Sequence, residues 1–587
     1  MLDTKSHASQ TALSMHGTPK YERDFQSFSY VNPKAPVGGQ LRVGAVGSFN
    51  SLNPFLIKGV PARGLGLVYQ SLLSRSRDEP FSLYANIAES FEIPASRKWI
   101  LFSLDKSARF SDGQPIDASD VLFSFETLKT KGRPNHRQYY ANVEKVEIIG
   151  ESKIKFWFKG ENVWEMPLIM GLMPILSKSY FGSQPFDKTS LVPPVGSGPY
   201  RVEKIDAGRQ IIYRRNPSFW GWHLPQYRGR YNFDRIIFDY FRDSDVALEA
   251  FKAGELDIRF ESDPGKWRNA YGGKEGNPGA YVKEERPLQI PAPMKGLIFN
   301  TRHSLFNDIE VRKALTFAFD FEWVNKNILH GAYVRTTSFF QNSPLAATGL
   351  PTEDEKTLLS PYASELPPEL FNTPFSLPRS DGTGRDRKKL KTARGLLKKA
   401  GWILSNGNLI HSKTRKIFQF EILIHDNRDI KLLSAFAQNL NRLGIKVTLR
   451  PQDTASYQNR LTTYDFDMII GQWGQSLSPG NEQSFYWSIN AASTPGSRNY
   501  PGIALNSVDH LITLIRTART RKELTTAVRA LDRILLFKHY VIPLYHSKQQ
   551  WLVHWPYIRL PKKSSHYGTS LDVWWYRPID AEYKKTP

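Results

Sequence analysis

The sequence predicts an α/β fold spread over more than one domain. Three observations carry this. Segments of alternating apolar residues recur between segments of helical period; one strand–helix–strand unit closes on a glycine stop; and 587 residues exceed what one hydrophobic core organises. Length alone sets a range of two to four domains.

The elements follow in chain order. DASDVLFSFETLK begins a helix at Asp117, with Asp120 at the third helical position in the manner of a capping box. KIKFWF (153–158) and NFDRIIFDYF (232–241) alternate apolar and polar residues as strands do. DSDVALEAFKAGELDI (243–258) reads as a capped helix, a stop at Gly254 and a return to strand. DIEVRKALTFAFDFEWVNKNIL (308–329) predicts one helix, with Asp308 as N-cap and Val311, Leu315, Ala318 and Phe319 facing inward.

Residues 341–384 hold seven prolines, which exclude long helices and central strands. Because Tyr362, Phe371 and Phe375 need apolar partners, the segment is expected to wrap one domain in ordered form. RDRKKLKTARGLLKK (385–399) spaces Leu390, Ala393, Leu396 and Leu397 as a helix with a solvated basic face. KIFQFEILI (416–424), a helix over about 429–443 stopped by Gly444, and IKVTL (445–449) form a βαβ unit, whose strands are expected to lie parallel. DFDMII (465–470) adds a strand. The segment after it, GQWGQSLSPGNEQSFYWS (471–488), then sits beyond the strand carboxyl ends, where open α/β sheets bind ligands. Its aromatics fit either the wall of a wet groove or core packing.

Composition narrows the function. With 40% hydrophobic and 13% aromatic residues the chain folds, and no apolar run reaches membrane-spanning length. The N-terminus lacks the apolar core of a signal peptide, which fits a cytoplasmic protein or an exported one in mature form. The absence of cysteine excludes disulfides, thiolate metal sites and thiol nucleophiles. Lys plus Arg number 79 against 56 Asp plus Glu, a net +23, but spread along the chain rather than gathered as a nucleic-acid footprint. No catalytic constellation emerges. GSGPY (196–200) is not a nucleophile elbow, and His539, His546 and His554 lack metal-ligand spacing.

Several stretches resemble one family. SLYANIAESFEIPASRKWILFSLDKSARFSDGQPIDASDVLFSFETL (82–128), VGSGPYRVEKIDAGRQIIYRRNPSFWG (195–221) and FNTRHSLFNDIEVRKALTFAFD (299–320) are similar to blocks of the peptide-type (family 5) extracellular solute-binding proteins of ABC importers. MHGTPKY, VGSFNSLNPFLIKG, SRDEPFSLY, DGTGRDR and SLSPGNEQ resemble its Yej-type, oligopeptide-binding branch. The resemblance implies a non-enzymatic, two-lobed periplasmic binding fold with no cofactor. Lobe I is expected over 1–70, 195–295 and 543–587, an inserted subdomain over 71–194, and lobe II over 296–542. It further implies a monomer in the periplasm that captures oligopeptides and delivers them to an inner-membrane permease with its ATPase subunits. Relatives of the fold take sugars, opines, glutathione or metal chelates, so a non-peptide solute is the alternative; no nucleic acid is expected.

A receptor for peptides of varied sequence must use what peptides share, their main-chain amides and termini. By resemblance, Lys58, Gly59 and Val60 pair with the ligand main chain on one side, and Trp473, Gly474 and Gln475 on the other. Oligopeptide receptors place an Asp shortly after that Trp, against the ligand amino group. Here Ser476 stands there, and Glu482 is the nearest acid able to replace it, unless it only braces the loop. Tyr486 and Trp487 complete the expected site, as ligand wall or as core. Lys58 is a possible partner for a ligand carboxylate. Phe110, Asp112 and Gly113 are expected to form a turn without ligand contact.

Overall fold

The computed structural model describes residues 8–160, 163–271, 281–426 and 428–578. Its contacts divide into two compact units. One comprises the chain up to Ser262, Asn269–Pro287 and the part from Gln549 onward; the other comprises Asp263–Arg268 and Leu288–Lys548. The second is wider than the 296–542 of the sequence reading. Its flanks are tied to it by the main chain, where Leu288 N–H donates to Lys548 O and Ala292 N–H to Gln341 O.

The first unit is built on a seven-stranded mixed sheet in the order Val282–Pro287, Gln549–His554, Ile258–Glu261, Gln40–Val46, Arg235–Phe241, Gln210–Arg215, Tyr200–Asp206. Gln40–Val46 lies parallel to both neighbours. The helix Ser244–Lys252 makes the crossover between those two neighbours. Asp243 caps it by accepting from the N–H groups of Asp245 and Val246, and Ala247, Leu248 and Phe251 supply its buried face.

Within this unit a four-stranded antiparallel sheet runs Ala88–Glu92, Trp99–Leu104, Lys153–Phe158, Val143–Ile148. Against it packs the helix Ala118–Lys131, whose capping box joins Asp117 and Asp120 reciprocally. Phe110–Gln114 is the expected turn: Phe110 N–H donates to Gln114 O, Gly113 N–H to Phe110 O, and Gly113 has φ +91°.

The second unit has a five-stranded sheet in the order Lys446–Pro451, Gln419–Ile424, Met468–Trp473, Met294–Phe299, Val541–Pro543. The first three strands are parallel, and Met294–Phe299 runs antiparallel to both its neighbours. The βαβ unit forms as expected: the helix Arg428–Arg442 buries Leu432, Leu433, Phe436 and Leu440. Gly444 ends the connection at φ +84°, and a Cβ there would lie 2.9 Å from Leu409 N.

Two features depart from or refine the local reading. Residues 308–329 form not one helix but two, Ile309–Ala318 and Phe321–Asn327. Asp320 interrupts them: its buried carboxylate accepts from Trp323 N–H at 2.9 Å and Gly384 N–H at 2.8 Å, so it caps a new helix instead of continuing the old one. The proline-rich segment wraps the helix Arg521–Phe537. Arg533 donates to Glu355 and to the carbonyls of Thr348, Gly349 and Leu350, and Asp532 accepts from Ser338 Oγ and from Phe339 and Ala347 N–H. Tyr362, Phe371 and Phe375 pack on this core.

Candidate functional site

In the second unit, the carboxyl ends of the three parallel strands, at Ile424, Pro451 and Trp473, lie at one rim of the sheet. The register Met294↔Trp473 and Gly296↔Pro543 brings the start of the antiparallel strand Met294–Phe299 and the end of Val541–Pro543 to the same rim. Here main chain leaves the ladder and polar side chains gather, the position at which α/β sheets take ligands.

Lys295, the second residue of its strand, holds its Nζ 3.9 Å from Asp429 Oδ1 and 3.5 Å from the Tyr545 hydroxyl. Asp429 opens the helix after strand Gln419–Ile424; burial raises its pKa. Next to it the Arg428 guanidinium donates to Asp426 at 2.8 Å, and that bond holds the Asp426 carboxyl below its usual range. A cavity of about 260 Å³ opens between Lys295, Gln472, Asn342, Tyr545 and His546. His546 Nδ1 lies 3.1 Å from Thr336 Oγ1, and its buried Nε2 has no partner. Burial pushes its pKa down to about 4, so the ring is neutral at physiological pH.

The segment after strand Met468–Trp473 divides into core and surface. The Trp473 indole is fully buried, packs on Trp487 at 4.6 Å between ring centres, and donates from Nε1 to Arg498 O at 2.9 Å. Trp487 is fully buried as well and donates from Nε1 to Gln483 Oε1. Tyr486 is buried to 9% exposure, with its hydroxyl 3.4 Å from Gly474 O. For both Trp473 and Trp487 the side chain is therefore core rather than groove wall. Phe485, left out of the expected site, is the aromatic that stays open, at 43% exposure.

Gly474 is exposed, and a Cβ added to it would meet nothing within 4 Å. Gln475 accepts from Gln483 Nε2 at 2.6 Å, while its own amide nitrogen is buried without a partner. Ser476 Oγ accepts from Ser478 N–H, which shapes a turn. The Glu482 carboxylate accepts from Gly480 N–H at 3.1 Å and from Gln483 Nε2 at 3.1 Å. Burial raises its pKa. It braces the loop, and no cation among the described residues pairs with it.

The other expected segment, in the first unit, is built differently from an edge strand. Lys58 and Val60 are exposed, but Gly59 has φ +83°, outside the extended region. Val60 N–H donates to Asn50 Oδ1 at 2.7 Å, and its carbonyl accepts from Asn50 and Ser51 N–H. The main chain of Val60 is committed to its own loop, so Val60 itself has no free N–H for the ladder expected at 58–60. Asn53 forms a turn, accepting from Phe55 N–H at 3.0 Å.

Lys295, Arg428, Asp429, Gln472, Tyr545 and His546 escaped the sequence reading. Their common signal is register: they come from four separate segments and meet only because five strands reach one rim, four by their ends and Met294–Phe299 by its start. Among the described residues no three His, Asp or Glu side chains converge to hold a metal, and no helix is long and apolar enough to cross a membrane.

Comparison with known proteins places this geometry. The model of "Bacterial extracellular solute-binding proteins, family 5 Middle" matches residues 82–495. The chain is 40% identical to the peptidoglycan-binding protein YepA of Agrobacterium fabrum, over 96% of this chain and 94% of that one. It is 36% identical to the probable peptide-binding protein YejA of the same organism, over 96% and 93%. The oligopeptide-binding protein AppA of Bacillus subtilis, solved with a nonapeptide, shares the fold at a TM-score of 0.65 and 18% identity, covering 93% of this chain and all of that one. These relatives are binding proteins, not enzymes, and the two-lobed periplasmic binding fold is theirs. The chain belongs to the family 5 bacterial extracellular solute-binding proteins.

Proposed function

We propose that this chain is an exported, monomeric receptor that captures oligopeptides in the periplasm and delivers them to an inner-membrane ABC permease and its ATPase subunits. The observation that carries the peptide reading is the open main chain at Gly474 beside the unpartnered amide nitrogen of Gln475. A peptide carbonyl satisfies a buried donor of this kind, and a glycine lets a ligand main chain approach closely. Lys295, Gln472 and the neutral His546 line the adjoining cavity and offer hydrogen bonds without demanding one side chain.

Glu482 is the group for the ligand's amino terminus. Its carboxylate has no cationic partner among the described residues, and an ammonium would offset the cost of its burial. A second reading, favoured by the likeness to a peptidoglycan-binding relative, is that the captured peptide is the stem of a peptidoglycan fragment.

Native mass spectrometry of protein purified without refolding tests both. A spread of peptide masses supports the first reading, and amino-sugar-linked peptides support the second. One homogeneous non-peptide solute would refute both.

A further inference from the structure

We infer that the second unit carries a separate binding site for an oxyanion group, a carboxylate or phosphate, at the guanidinium of Arg335. The site is a cavity of about 480 Å³ that the peptide reading does not use. Arg335, Lys326, His330, Arg379 and Arg268 line it, against one carboxylate, that of Glu322. Glu322 is already engaged, accepting from the Ser380 N–H at 3.0 Å and hydroxyl at 2.7 Å. Among the described residues, no carboxylate lies within 4.0 Å of the nitrogens of Lys326, Arg335 or Arg379.

Arg335 is held in one orientation. Its Nη1 donates to Pro378 O at 2.6 Å, and its guanidinium carbon lies 5.9 and 5.8 Å from the ring centres of Phe319 and Phe321. Nε and Nη2 are buried and have no partner. These two nitrogens form one edge of the fork, with parallel N–H bonds spaced to meet both oxygens of a carboxylate or two of a phosphate. Burial lowers the Arg335 pKa only to about 10, so the group is a cation at neutral pH, and a buried cation with an empty fork is costly.

Lys326, His330 and Arg379 are exposed at the mouth. The empty edge is closed to water in the free chain. An oxyanion drawn in at the mouth also meets Lys326 and Arg379, whose charge adds to that of Arg335. The anion is either free in solution or an acidic group of the transported solute; the chemistry is the same.

The test needs no peptide, so it stands or falls apart from the function proposed above. Inorganic phosphate is titrated into the full chain at constant ionic strength, followed by calorimetry and by thermal unfolding. The expected result is saturable binding that raises the unfolding temperature. Lys326→Gln with Arg379→Gln, two exposed positions whose replacement leaves the core intact, weakens it about tenfold through the loss of charge-assisted contacts. Arg335→Lys keeps the charge but removes the fork, and abolishes saturable binding. Equal phosphate binding by the wild type and the exposed double variant, or none by the wild type, overturns the site. A competition arm assigns the source. If saturating phosphate weakens a peptide with a free carboxyl terminus but not its amide, the site serves the solute's own acid; if it weakens neither, the anion is independent.

Discussion

Replacing Trp473 with Ala tests whether the segment after the central strand is core first and ligand surface second. The indole is fully buried against Phe339, Trp487 and Tyr500 and donates to Arg498 O. Burial of an aromatic side chain removes about 150–250 Å² from water, which at about 25 cal/mol per Å² is roughly 4–6 kcal/mol, an upper bound. Measured Trp→Ala losses of about 3–5 kcal/mol include the cavity left behind, and an orphaned carbonyl adds about 1 kcal/mol. An expected loss of about 4 kcal/mol lowers the unfolding temperature of a unit of this size by roughly 8–16 °C. Two units need not unfold together, so the assay is calorimetry of ligand-free protein combined with amide exchange on the strand Met468–Trp473. Trp473→Phe keeps most of the packing, loses the N–H, and is expected to cost about 1–2 kcal/mol. A loss under about 1 kcal/mol for Trp473→Ala, with unchanged exchange in the strand, would show the indole is not part of this core and refute the reasoning.

Three further outcomes are expected. Glu482→Gln weakens peptides with a free amino terminus by about tenfold while sparing acetylated ones, as loss of one charge-assisted contact does; calorimetric titration with matched peptides decides, and equal losses would remove Glu482 as the anchor. Asp78 accepts from Lys20, Tyr21, Ser29 and Ser76, and these hydrogen bonds outweigh burial and hold its pKa down to about 2. A folded pKa below the unfolded one stabilises above about pH 4 and is lost as pH falls through about 2; Asp78→Asn is therefore expected to remove about 2 kcal/mol at neutral pH and flatten this acid limb, read from denaturant midpoints across pH. Gly444→Ala forces a side chain into the left-handed region 2.9 Å from Leu409 N and costs about 2 kcal/mol, visible as a lower midpoint for the second unit.

Local patterns were read well where one physical signal dominated. The βαβ unit around Arg428–Arg442 announced itself through helical spacing and a glycine stop, and the caps at Asp117, Asp243 and Asp308 through side chains suited to free N–H groups. The break at Asp320 was missed because its partners Ser380 and Gly384 lie some sixty residues away. An aspartate within a helical pattern reads as a tolerated polar residue until a distant donor claims it.

Site residues fared unevenly for the same reason. The strand pattern placed 471–488 beyond the carboxyl end of its strand, but it could not tell which aromatics point inward. Trp473 and Trp487 face the core, Phe485 faces out, and only the packing of Phe339 and Tyr500 decides it. Likewise Val60 sits in a segment that reads as extended, yet Asn50 folds back on it and consumes its main-chain groups.

By itself, the order of residues determined the α/β class, the caps and stops, the absence of thiol chemistry and the family, since each rests on near neighbours or on composition. Tertiary structure alone decided which polar groups stay unpartnered. The unpartnered polar groups at Gln475, His546 and Arg335 are defined by the atoms that fail to reach them, and those atoms belong to segments far apart in the chain. Whether a buried donor is satisfied depends on distances of a few tenths of an ångström across packed elements, a quantity that no local pattern encodes.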